Sequence, residues 1–92
     1  MFEVHPNPQP RSDAERAAIL ADPGFGLHFS DHMALATWTP EQGWHDREVG
    51  AYRPFQLDPA SAVLHYAQEI FEGLKAYRHA DDSIWLFRPD KN

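Results

Sequence analysis

Leu64-His-Tyr-Ala-Gln-Glu-Ile-Phe-Glu-Gly-Leu-Lys-Ala-Tyr77 decides how the chain is read, because its spacing passes from a helical to an extended period. Val63, Tyr66, Ala67, Ile70 and Phe71 fall on one helical face, while Gln68, Glu69 and Glu72 face away. Asp58 before Pro59 is a good helix start, a capping carboxylate followed by a proline at the first helical position, and Gly73 stops the run. Beyond it, 74–78 and 83–88 form an expected hairpin across His79-Ala80-Asp81-Asp82. Its second strand carries the buried-looking run Ile84-Trp-Leu-Phe87.

Upstream, Pro6, Pro8 and Pro10 fix φ and remove backbone donors, so residues 1–12 are expected to be an extended, mobile leader. Ser12 then caps a short helix over 13–21, with Asp13 and Glu15 in its first turn and Pro23-Gly24 as its stop. Met33, Leu35 and Thr37 alternate with Ala34, Ala36 and Trp38, which is a strand period. Thr39-Pro-Glu-Gln-Gly43 is turn chemistry. The extended stretch after it, from Trp44, is broken at Gly50 and Pro54 and reads as an edge or loop rather than a central strand. This order fits an α+β fold, an antiparallel sheet with helices on one face. So few strands cannot shield the central helix, and the domain is expected to continue past Asn92.

Composition narrows the function. Ninety-two residues, 42% of them hydrophobic and including three Trp and six Phe, argue for a packed core rather than disorder. A formal charge of −6 with only eight Lys and Arg argues against nucleic acid as a partner. With no cysteine, disulfides and thiolate metal sites are excluded. No apolar run approaches a membrane span, and Met1-Phe2-Glu3-Val4-His5 has neither the basic start nor the apolar block of a signal peptide, so the chain is read as cytoplasmic. His28 and His32 are four apart, but no Glu follows His28 and no helix is expected there, so no metal site is assigned.

Four segments together resemble the branched-chain aminotransferases, class IV pyridoxal-phosphate enzymes. They are Phe25-Gly-Leu-His-Phe-Ser-Asp-His-Met33, Gly43-Trp44, Leu57-Asp-Pro-Ala-Ser61 running into Leu64 to Tyr77, and Leu86-Phe-Arg-Pro-Asp-Lys-Asn92. They follow the family's order and spacing across residues 25–92. The Phe-Gly and Gly-Trp lead-in favours the branched-chain enzymes over the related D-amino-acid transaminases and aminodeoxychorismate lyases. Ser30 departs from the more usual threonine and keeps the hydroxyl. The resemblance implies that residues 25–92 are the first part of the small domain of a fold-type IV enzyme, behind a leader and short helix over 1–24. It also implies a homodimer that exchanges an amino group between Leu, Ile or Val and 2-oxoglutarate through pyridoxal 5′-phosphate.

Carried over residue by residue, the resemblance makes Phe25 and Phe71 walls of the substrate side-chain pocket and Tyr66 a residue lent across the dimer interface to the partner's pocket. Such an aromatic wall suits branched aliphatic side chains, selected by shape and burial at about 0.8 kcal/mol per methylene. Read without the resemblance, Phe71 is a core residue on the apolar stripe, Phe25 a loop anchor beside Gly24 and Gly26, and Tyr66 a structural hydrogen-bonding group.

Transamination needs a Schiff-base lysine, and the chain holds only Lys75 and Lys91. Lys75 reads as a solvated strand lysine, and Lys91 lacks an apolar setting. The family's phosphate-binding arginine falls beyond the matching segment, and Arg88 reads as an ion pair or loop clamp. No catalytic or cofactor-binding residue is therefore assigned, and the chain alone is expected to be inactive. The competing reading is a non-catalytic dimerisation or interaction module derived from the same small domain.

Overall fold

A computed structural model describes residues 1–91, and Asn92, the last residue of the fourth motif segment, lies outside the described residues. Contacts divide the chain after Phe55, into Met1–Phe55 and the part from Gln56 onward. The reason lies in the leader, which is tied into the first unit.

In that unit, β1 (Glu3–Val4), β2 (His32–Thr39) and β3 (Gly43–Ala51) form one sheet in the order β1-β3-β2. β2 and β3 are antiparallel around the turn expected at 39–43, where the Gln42 amide donates to Thr39 Oγ1 at 3.3 Å and Gly43 takes a φ of +63°. A left-handed φ there suits glycine, which has no Cβ to clash. β1 lies parallel to β3, with Val4 opposite Val49 and the His5 amide donating to the Val49 carbonyl at 2.9 Å.

Two sequence expectations are corrected by this sheet. It is mixed rather than antiparallel, and β3 is its central strand rather than an edge or loop. Gly50 weakens a strand without ending it, because a glycine keeps both ladder groups, and it sits buried opposite Met33. An extra residue on β3 between the Leu35 and Thr37 pairings makes a bulge, with Asp46 in the left-handed region at φ 46°. Met33 and Leu35 are half-buried and Ala34 and Ala36 exposed, the alternation that the sequence carries.

Helix α1 covers Asp13–Ala21, as expected. Ser12 caps it reciprocally: its Oγ accepts from the Glu15 amide at 3.3 Å, and its own amide donates to Glu15 Oε2 at 2.8 Å. The Ser12 hydroxyl also donates to Glu15 Oε2 at 2.6 Å, and this bond, with the one from the Ser12 amide, holds the Glu15 carboxyl below its ordinary value.

The second unit is less regular. Helix α2 covers only Ala62–Tyr66, not the expected run from Asp58 to Gly73. Asp58 caps a turn instead, its Oδ1 accepting from the Ala60 amide at 2.7 Å, and Ala67 leaves the helix at φ 47°, ψ 46°. Helices this short are not held by propensity; they need an apolar surface to lie on. Ile70 is 96% exposed, so nothing rewards continuing the helix to it.

The hairpin is present in shorter form, β4 (Ala76–Arg78) against β5 (Ile84–Leu86), with Tyr77 opposite Trp85. Asp82 turns the chain at φ 63° and accepts from Arg78 Nε at 3.0 Å. The run Ile84 to Phe87 is exposed rather than buried. A 3-10 turn, Pro89–Lys91, follows. Among the described residues no hydrophobic side chain is fully buried and no helix lies on a sheet as a layer, so the α+β content stands while the helix-covered face does not.

Candidate functional site

The most connected group of side chains surrounds Asp31, at the entry to β2. Its carboxylate, 13% exposed, meets two guanidiniums: Arg11 Nη1 lies 3.1 Å from Oδ1 and Arg16 Nη1 3.5 Å from Oδ2. The Arg11 amide also donates to Oδ2 at 3.2 Å. Arg11 Nη1 reaches the Phe29 carbonyl at 2.7 Å, and Arg16 Nη2 reaches the Arg11 carbonyl at 3.0 Å and Asp13 at 3.1 Å.

Asn7 completes the cluster. Its amide donates to His32 Nε2 at 2.8 Å, and its side chain donates to the Asp31 carbonyl at 3.0 Å. Ser30 Oγ donates to the His32 carbonyl. Phe29 stacks on Tyr52, with centroids 5.6 Å apart and planes 9° from parallel. Charged hydrogen bonds contribute about 1.5–3 kcal/mol each when partly shielded, so this hub is what binds leader, α1 and loop to the sheet.

A concavity of about 510 Å³ opens beside the hub, with Pro10, Leu20, Gly24, Gly26, His28 and Phe29 among its lining. Gly24 has a φ of +59°, a backbone conformation that suits glycine; a Cβ there would lie 2.8 Å from Leu27 Cδ1, the movable end of an exposed side chain. Phe25, between the two glycines, is 95% exposed and stands outside that lining.

In the second unit, Tyr66 and Phe71 are 83% and 92% exposed. Neither is the core residue or the buried hydrogen-bonding group that the residues alone would suggest. The hairpin also carries an open groove of about 500 Å³ lined by Tyr77, His79, Trp85, Leu86 and Phe87. Trp85 Nε1 donates to Ser83 Oγ at 2.8 Å, and that hydroxyl donates to Asp81 at 2.7 Å, which with the Ser83 amide lowers the Asp81 pKa.

The described residues do not fit pyridoxal phosphate. A cofactor cradle needs a lysine amine together with cationic or amide donors for the phosphate. Lys75 shares a shallow concavity with Gly73, Leu74, Tyr77 and Phe87, and no guanidinium lines it. Lys91 is exposed and lies 3.1 Å from Asp90. Arg88, at φ 45°, accepts the Lys91 amide through its carbonyl at 3.1 Å. No three His, Asp or Glu side chains gather as a metal site among the described residues.

Sequence reasoning missed the hub. Its signal was the charge pattern Arg11, Asp13, Arg16 and Asp31, in which Glu15 is taken up by Ser12 and leaves Asp13 as the other nearby acid for two cations. The pairing with Asp31 spans 20 residues and has no periodicity to betray it.

No protein-family profile matches the sequence. Individual relatives do. The chain is 62% identical over 99% of its length to a probable branched-chain-amino-acid aminotransferase of Streptomyces coelicolor, and 56% identical over 99% to a branched-chain-amino-acid aminotransferase of Mycolicibacterium smegmatis. A protein of Saccharomyces cerevisiae named as the cytosolic enzyme of that type is 53% identical over 74% of the chain. The chain spans 25% of the first two relatives and 18% of the third.

Proposed function

Because the chain belongs to the branched-chain-amino-acid aminotransferases, we propose that the whole protein moves an amino group between Leu, Ile or Val and 2-oxoglutarate, as a cytoplasmic homodimer using pyridoxal 5′-phosphate. The observation that carries this reading is 62% identity sustained over 99% of the chain. The cofactor supplies the electron sink for the amino transfer; this chain's residues supply apolar recognition.

Phe25 and Phe71 are proposed as pocket walls and Tyr66 as the residue lent to the partner's pocket. Their exposure supports this, since each ring keeps an unused burial gain of about 1.5–3 kcal/mol for whatever covers it. Such a wall admits branched aliphatic side chains and rejects charged ones, which would be buried without partners.

By itself the chain has neither lysine in a setting fit for the cofactor, and it is proposed to be inactive. The test measures the intact mass of the protein made in its source cell, then transfer from Leu to 2-oxoglutarate by that protein and by the purified 92-residue chain. Amino transfer by the longer protein alone is expected; a rate from the short chain overturns the proposal. The exposed aromatic groove on the hairpin favours a second reading, a non-catalytic interaction module. A source-cell mass equal to the chain's 10.6 kDa would put that reading first.

A further inference from the structure

One of the bonds tying the leader to β2 demands a particular protonation state. The Asn7 amide donates to His32 Nε2 at 2.8 Å. A backbone N–H can only donate, so Nε2 must present its lone pair, and an imidazole has a free lone pair only while neutral. We propose that His32 is a proton-sensitive latch for the leader segment around Asn7: neutral, it holds the Asn7 amide, and protonated, it faces that amide with a second donor and releases it.

The surroundings keep the effect local. Arg11 and Arg16, from the leader and α1, and His28 and Asp31, from the loop before β2, line the same concavity as His32; its partner across β3 is the uncharged Ala51. Both arginines are engaged by Asp31, and the Asn7 side chain is held by a backbone carbonyl. β1 is held by its own ladder with β3. None of these ties needs a neutral histidine. Protonation of His32 therefore loosens residues 6–9 while the Asp31 hub and β1 stay in place. His5 belongs to a separate pair with Glu3 at 3.6 Å.

The experiment uses the full chain labelled with nitrogen-15. At pH 7.5, long-range correlations of the His32 ring are expected to place its proton on Nδ1. On lowering the pH, the Asn7 amide shift should titrate with the same midpoint as the His32 ring. Its exchange protection, corrected for intrinsic rate, should fall about fivefold, the worth of one ordinary hydrogen bond. His32→Gln, whose side-chain oxygen accepts at any pH, should abolish the dependence, and His28→Gln should leave it intact. A ring protonated on Nε2 at pH 7.5, an Asn7 amide that ignores the His32 titration, or an unchanged pH response in His32→Gln would overturn the latch. Should that variant not fold, the tautomer and the paired midpoints in the unaltered chain decide the matter alone.

Discussion

The unit before Gln56 and the unit after it solve the same problem with unequal means. The first closes a three-stranded sheet and clamps leader, helix and loop on one carboxylate, leaving Met33, Leu35, Val49 and Ala51 at least half-covered. The second has a five-residue helix and a hairpin of two three-residue strands, and among its described residues only Ser61, Ala62 and Ser83 are half-buried rather than exposed. Local hydrogen bonds occur in both, as at Ser12 with Glu15 and at Ser83 with Asp81. What separates them is apolar cover, since hydrogen bonds that water could also make contribute little net stability. Phe25 in the first unit and Ile70 and Phe71 in the second are among the side chains left uncovered.

The widest gap between the units should appear in amide exchange. Ladder amides of β2 and β3 are expected to be protected by about a hundredfold or more, and amides from Gln56 onward by less than about tenfold, read residue by residue. Equal protection in the two units would dissolve the distinction. Next in size, Asp31→Ala removes the hub and should destabilise the first unit by about 2 kcal/mol in urea unfolding. Hairpin signals from Trp85 should not move; if they do, the units are not independent.

Ser12→Ala removes one side of the capping box and should cost about 1 kcal/mol, seen as lost α1 helicity. Acid should weaken both units mildly. Glu15, Glu48 and Asp81 are each held below their ordinary values, by hydrogen bonds from Ser12, Arg53 and Ser83 respectively. A carboxyl depressed on folding stabilises above its unfolded value and loses that contribution as pH falls through the folded one. The loss should therefore begin below about pH 4.5 for the glutamates and 3.8 for Asp81, and carboxyl titration followed by NMR checks it. Smallest is Phe71→Ala, expected to change the stability of this chain by under about 0.5 kcal/mol because the ring is 92% exposed. If the whole protein has the proposed transaminase activity, the same change there should lower kcat/KM for Leu by about tenfold or more, by the pocket-wall proposal.

Elements set by neighbours in sequence were legible. Ser12, Asp13 and Glu15 define α1, and the turns at 39–43 and 79–82 lie where Pro40, Gly43 and the Asp81-Asp82 pair put them. The aromatics Phe25, Tyr66 and Phe71 could be named from the motif segments, but their exposure could not. Apolar periodicity reports that a face needs cover and does not say whether the cover lies within these residues. The helix expected from Asp58 to Gly73 met the same obstacle, since its stripe was real and its supporting surface was not.

The sequence by itself determined the kinship with branched-chain aminotransferases, the capped helix and the two tight turns, because each rests on residue identity at short spacing. Only the tertiary structure decided that β1 joins β3 in parallel, that β3 is central despite Gly50, and that Asp31 gathers Arg11 and Arg16. Those outcomes depend on which distant groups compete for one strand edge or one carboxylate. That competition is settled by geometry and desolvation in space, which no local pattern along the chain encodes.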